Sequence, residues 1–249
     1  MERPQFSERV FEFCFNAEFV RKNASAIIGI PYIPSQKLEG VYGYDVLFRL
    51  KQGDRQYSLF LQHKVSSFTD KKAGRNWHVY NFHGGPYYSY YLERLDKSHQ
   101  HNLLYNLRQA GYAVYYTSPL FFRYDDLTQH FLNNVVIDKS CFIDPYDIGL
   151  ITDFESHRTT YDMNGTQAAF HSEIKNIENI CNFEVITQKL KQRKIDEGYF
   201  SELLSVLKAQ LGKIYPEELS LPEGYRDYPN VLKCTYLLRR YYKLQWIIF

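Results

Sequence analysis

Hydrophobic and polar positions divide the first half of the chain into segments of distinct period. After Ser7, apolar residues recur at Val10, Phe11, Cys14, Phe15 and Ala17. That spacing predicts an amphipathic helix, capped by Ser7 and running to about Lys22. Glu18 falls one turn beyond Cys14, at the edge of the apolar face. The segment IGIPYIPSQKLEGVYG follows, where Pro31 and Pro34 argue against a long regular element. Alternation then predicts a strand over Tyr44 to Leu50. Val46, Phe48 and Leu50 share one face; Asp45, Leu47 and Arg49 share the other. Gln52-Gly53-Asp54-Arg55 reads as a hairpin turn. A second strand spans about Gln56 to Val65. Its centre, SLFLQ, is apolar on both faces, as in a central strand covered on both sides.

Residues 69–98 are polar, then aromatic, and Gly84-Gly85-Pro86 interrupts them. They read as an excursion with a short strand or helix. HQHNLLYNLRQAG suits a helix ending at Gly111, and AVYYT suits a strand closed by Ser118 and Pro119. Shorter strand-like pieces occupy Asn133 to Asp162, with turns at Asp144-Pro145 and Asp162 to Gly165. From Gln167 the pattern predicts helices over 167–180, 183–192 and 198–213. Met163 to Thr166 is the expected boundary between a core of residues 1–165 and a helical region of 166–249. The fold class expected is α/β: a mixed sheet flanked by helices, with a mostly helical C-terminal part.

Composition narrows the chemistry. Hydrophobic residues make up 45% and charged residues 23%, the mixture of a folded soluble protein. Aromatic residues reach 17%, with 23 Tyr and 18 Phe, which suits half-buried packing and also stacking on bases. The net charge is only +2, so any anion-binding surface must come from local clustering. Cys14, Cys141, Cys181 and Cys234 form no CxxC and no zinc spacing; they read as buried thiols in a reducing cytoplasm. The N-terminus has no signal-peptide core, and no apolar run approaches the roughly 20 residues of a membrane span. A cytoplasmic protein with no membrane partner is expected. GxSxG, Walker A, GxGxxG and HExxH motifs are absent. His78, His83, His99 and His101 match no zinc pattern. The C-terminal RRYYKLQWIIF is expected to dock into the core as a final strand or helix.

The hairpin carries the candidate chemistry. Its turn brings Asp45 towards Gln62 and Lys64, which share a face, while His63 points away. A carboxylate and an amide oxygen can hold a hard cation such as Mg²⁺. An amine beside it can orient water or stabilise charge on a phosphate. Glu18 and Glu39 both compete to be the third acid. Lys71, Lys72 and Arg75, followed by Trp77, mix cations with an aromatic ring; such a run can track a phosphate backbone and stack bases, and equally suits a solvated loop with an aromatic anchor.

Asp45 with Gln62-His63-Lys64 at the end of an apolar strand, and Glu18 on a preceding helix, resembles the PD-(D/E)XK nuclease superfamily. The closest pattern is its QXK branch of methyl-directed type IV restriction enzymes. The resemblance covers about residues 8 to 120. It implies an α-β-β-β-α-β core and a Mg²⁺-dependent endonuclease of DNA, with Mn²⁺ as a substitute metal. It further implies a role in restriction or anti-phage defence, as a homodimer or a subunit of a larger defence complex. Asp45 and Gln62 would then be metal ligands, Glu18 the helical acid and Lys64 the catalytic lysine. Two departures stand out: Gln62 replaces the second acid, and Tyr44 replaces the proline expected before Asp45. They keep two alternatives open: a decayed nuclease-like module that only binds nucleic acid, and an RNA nuclease.

Overall fold

The computed structural model of the chain describes residues 1–22, 58–72, 74–171, 174–178, 180–189, 196–215, 221, 228–242 and 244–248. In chain order the elements are α1 (Glu8–Lys22), β1 (Ser58–His63), β2 (Ser67–Thr69), α2 (Trp77–Phe82), β3 (Tyr87–Leu92), α3 (Gln100–Gln109) and β4 (Ala113–Pro119). They continue as α4 (Tyr124–Leu132), β5 (Ser140–Ile143), α5 (Pro145–Ile148), β6 (His157–Asp162), β7 (Ala168–His171), β8 (Ile174–Ile177) and β9 (Ile180–Cys181). The last are α6 (Phe183–Lys189), α7 (Glu197–Ile214), α8 (Asn230–Leu237), a π-helical turn (Leu238–Tyr242) and β10 (Gln245–Ile248). The architecture is mixed α/β, with a helical C-terminal part, as the sequence pattern implies. Two compact units divide the chain: residues 1–22, 63–98 and 115–189 form the first, and residues 23–62, 99–114 and 190–249 the second.

In the first unit, Ser7 caps α1 by accepting from the Val10 N–H at 3.3 Å. The helix buries Phe11, Cys14, Phe15, Glu18 and Phe19. Phe11 and Phe15 meet the His63 ring edge-on, at 5.6 and 5.1 Å between centroids. Alternation at the end of β1 therefore sends His63 into the α1 contact. An antiparallel sheet of order β2-β3-β6-β7-β8 lies wholly within this unit. One face carries Tyr88, Tyr90 and Tyr161, all buried. Tyr88 donates to the Leu120 carbonyl at 2.8 Å, and Tyr161 donates to the Pro119 carbonyl at 2.8 Å. These polar handles explain how so much tyrosine fits inside. β5 pairs with the last residues of β4 (Tyr116↔Ile143 through Pro119↔Ser140) and, on its other side, with β9.

In the second unit, β1 pairs antiparallel with β10, Leu59 opposite Ile247 and Leu61 opposite Gln245. The C-terminal segment thus docks as a strand. Leu59, Phe60 and Leu61 are all fully buried, as the two-sided apolar run predicts. Tyr112 bridges the core, its ring 5.9 Å from Phe60 and 6.1 Å from Tyr199. Helix α3 ends as expected, with Gly111 at φ +90°, where a β-carbon is disfavoured. Asp196 caps α7 through the Tyr199 N–H at 3.1 Å.

The structure departs from the sequence reading after residue 162. No helix spans 167–180: β7, β8 and β9 lie there instead. The cause is turn chemistry. Asp162 accepts from the Thr166 and Gln167 N–H groups at 2.7 and 2.8 Å, and Gly165 has φ +65°. This folds the chain back on β6, so its apolar residues pair across strands. Residues 163–166 are therefore a hairpin turn inside the first unit. β4 also runs on through Ser118 and Pro119. The strand expected over Tyr44 to Leu50 and its turn lie outside the described residues, as do Asp45 and Glu39. Among the described residues, no helix is long and apolar enough to cross a membrane.

Candidate functional site around Lys64 and Gln62

Lys64 follows directly on β1. Its N–H donates to the Thr117 carbonyl at 2.9 Å, and its carbonyl accepts from the Ser118 hydroxyl at 2.9 Å. Ser118 lies in turn 2.8 Å from the Ser66 hydroxyl and 2.9 Å from that of Tyr161. The backbone of Lys64 is thus clamped by β4 on both its polar groups. The side chain is only 16% exposed, and its Nζ stands 3.8 Å from Glu8 Oε2. That distance is an ion pair but too long for a hydrogen bond.

Gln62 belongs to the second unit and is 3% exposed. Its Oε1 accepts from the Gln100 side-chain amide at 2.5 Å, and the same amide nitrogen donates to the Tyr242 carbonyl at 2.9 Å. A backbone carbonyl only accepts, so the Gln100 atom facing it must be the nitrogen. The atom of Gln62 that faces this nitrogen must therefore be the oxygen. Gln100 and the π-helical turn fix which way the Gln62 amide is turned. Gln100 is the first residue of α3, and nothing in its spacing marked it for this role.

Glu18, expected as the helical acid, is bonded within the first unit. Glu18 is fully buried. Its Oε2 accepts from the Val136 and Ile137 N–H groups at 2.5 and 3.3 Å, and its Oε1 pairs with Lys22 Nζ at 2.9 Å. Lys22 also reaches Asp138 at 2.9 Å. Oε2 thus ties the segment after α4 to α1, and Oε1 reaches Asp138 of that segment only through Lys22. The acid of α1 at the Lys64 end is Glu8. Residues 8, 11, 15 and 18 share one stripe of the helix, and the axial rise from 8 to 18 is about 15 Å. Since Phe11 and Phe15 touch His63, the same stripe in the sequence pointed one turn back, to Glu8.

Among the described residues, no group of three or more His, Cys, Asp or Glu side chains is placed to hold a metal ion. The donor chemistry of Gln62, an oriented amide oxygen, fits a hard cation; Asp45 lies outside the described residues. Of the expected DNA-binding residues, Lys71 and Lys72 are exposed and Trp77 is 57% exposed; the side chain of Arg75 is outside the description. At the end of α2, Thr160 Oγ1 lies 2.8 Å from His83 Nε2 and 2.8 Å from His171 Nε2. Burial holds the pKa of both rings down at about 4, and Arg158 adds to the effect on His171. The cysteines are free thiols; burial pushes those of Cys14, Cys141 and Cys234 up, so they are poor nucleophiles. Comparison with protein-family models, with curated proteins and with solved structures gives no match.

Proposed function

We propose that the protein is a metal-dependent nuclease that hydrolyses phosphodiester bonds of DNA, acting through Lys64 and Gln62. The observation that carries this reading is Lys64: a mostly buried amine with a clamped backbone, whose ion pair to Glu8 is loose. A buried lysine with so loose an ion pair costs stability and has a use where negative charge builds up on a phosphate. In this reading Gln100 fixes the orientation of the Gln62 amide, and Asp45 supplies the carboxylate. Glu8, not Glu18, is the helical acid next to Lys64. A bound Mg²⁺ would polarise the phosphate and lower the pKa of attacking water. The Lys64 ammonium would orient that water or stabilise the charged transition state. The sequence of elements α1, β1, α3 and β4 supports the reading, as does the resemblance of the motif. Restriction or anti-phage defence, and a dimer or larger complex that brings two sites to one duplex, extend the same proposal.

A second reading has its own support. Glu18 is consumed by structure, and Gln62 stands where an acid is expected, so the protein would bind nucleic acid without cutting it. One assay separates the two. Plasmid and modified phage DNA are incubated with wild type, Lys64→Ala and Asp45→Ala, in Mg²⁺, Mn²⁺ or EDTA. Cutting that needs metal and falls on the order of 100-fold or more in both variants supports the nuclease. Binding without cutting, equal in all three proteins, overturns it. Selective cutting of RNA under the same conditions would change the substrate.

A further inference from the structure

We infer that the face of the β2-β3-β6-β7-β8 sheet crossed by α2 binds single-stranded DNA through Trp77 and Tyr91, with Arg158 holding a phosphate between them. This deepens the nuclease reading by naming the strand form that is gripped, and it rests on that reading for the choice of DNA.

The register places these residues together. Tyr91 on β3 lies opposite Arg158 on β6, and Arg158 lies opposite His171 on β7. Cross-strand partners are about 5 Å apart and share a face. The His171 ring is 6.4 Å from His78, and His78 is 6.3 Å from Trp77. One continuous track therefore runs from Tyr91 through Arg158, His171 and His78 to Trp77, within a single unit. Its two ends are large aromatic rings left in solvent, Tyr91 at 52% and Trp77 at 57% exposure. On the opposite face of the same sheet Tyr88, Tyr90 and Tyr161 are buried, so the two exposed rings mark the α2 side as the one open to a ligand.

The centre of the track is cationic. Arg158 is aimed rather than loose: Nη1 donates to Asn76 Oδ1 at 3.3 Å, and its guanidinium lies 6.0 Å from the Tyr87 ring centre. Arginine so held keeps donors for a phosphate. Asp162 lies on the same face but turns its carboxylate to Thr166 and Gln167. Exposed rings flanking a fixed cation fit a strand whose bases are unpaired, since bases in a duplex already stack on one another.

The test is fluorescence anisotropy of a labelled DNA strand of mixed sequence, about 20 nucleotides long so that it exceeds the usual site size, in EDTA so that no cleavage is needed. The same sequence is presented as duplex and as RNA. Wild type is compared with Trp77→Ala, Tyr91→Ala and Arg158→Gln, whose folding is checked by thermal melting. The expected result is tightest binding to the DNA strand, weakened on the order of 10-fold by either aromatic truncation. Arg158→Gln should also lower the salt dependence, by about 0.7 in the log–log slope. Equal binding by the folded variants, or a preference of wild type for duplex or RNA, overturns the inference. Cleavage of plasmid DNA is scored separately, so loss of the nuclease reading and loss of this surface are distinct results.

Discussion

Glu18 shows how one side chain can look catalytic in sequence and be structural in the fold. Its carboxylate sits on the core side of α1, yet it accepts two backbone N–H groups from residues 118 and 119 positions away. Lys22 closes the other oxygen and joins it to Asp138. Buried charge is tolerated when it is paired and hydrogen-bonded, here by the Lys22 ion pair on one oxygen and two N–H groups on the other. Removing the carboxylate leaves the Val136 and Ile137 N–H groups without their acceptor and the Lys22 ammonium with Asp138 alone. Glu18→Ala should therefore lower stability by about 2–4 kcal/mol in urea titration, while the metal-dependent cutting proposed above stays the same per folded molecule. Loss of metal-dependent cutting at unchanged stability would return Glu18 to the active site. Glu8→Gln is the complementary variant at the Lys64 end of the same helix.

At the scale of elements, the contact of α2 with its sheet depends on neutral imidazoles. His83 and His171 share Thr160 Oγ1, and both are held down at about 4. The unfolded chain binds protons at these rings near pH 6.5, so it gains protons that the folded chain refuses between about 6.5 and 4. Their contribution is thus complete above pH 6.5 and is lost as the pH falls towards 4. Both rings keep some contact with water, so the loss is of order 1 kcal/mol for each. The urea midpoint of wild type should drop from pH 7 to pH 5, and a His83→Gln, His171→Gln double variant should show a flatter dependence. Equal slopes would place the proton uptake elsewhere. These elements also show what the sequence disclosed. The Ser7 cap, the two-sided apolar run of β1 and Gly111 each have a local cause, and α1, β1 and α3 were legible from them. Gln62 and Lys64 were legible as polar residues closing an apolar strand. The hairpin of β7 and β8 was not, because AAFHSEIKNI is apolar at positions that suit a helix too. Its partner strand and the Asp162 turn decide the outcome. Gln100 and Glu8 were missed for a related reason: their importance comes from what folding sets beside them.

At the scale of the whole molecule, the final residues matter more than their position suggests. β10 is the antiparallel partner of β1, from Ser58↔Ile248 to Leu61↔Gln245. β1 is the strand that leads into Gln62 and Lys64, and its Leu59, Phe60 and Leu61 are fully buried. The Tyr242 carbonyl, just before β10, helps to hold Gln100 and through it Gln62. Ending the chain at Lys243 removes the partner strand and leaves an apolar β1 with unpaired N–H and C=O groups along one edge. Such an edge pairs with other chains. The truncated protein should lose about 2–4 kcal/mol of stability from the missing ladder and packing. It should also elute early in size-exclusion chromatography with raised light scattering. A milder variant, Trp246→Lys, keeps the ladder but changes one side chain; it should stay closer to wild type in elution. A truncated chain with the wild-type urea midpoint and elution volume would mean that β1 needs no partner on that edge, and the C-terminal strand would then be an accessory to the fold.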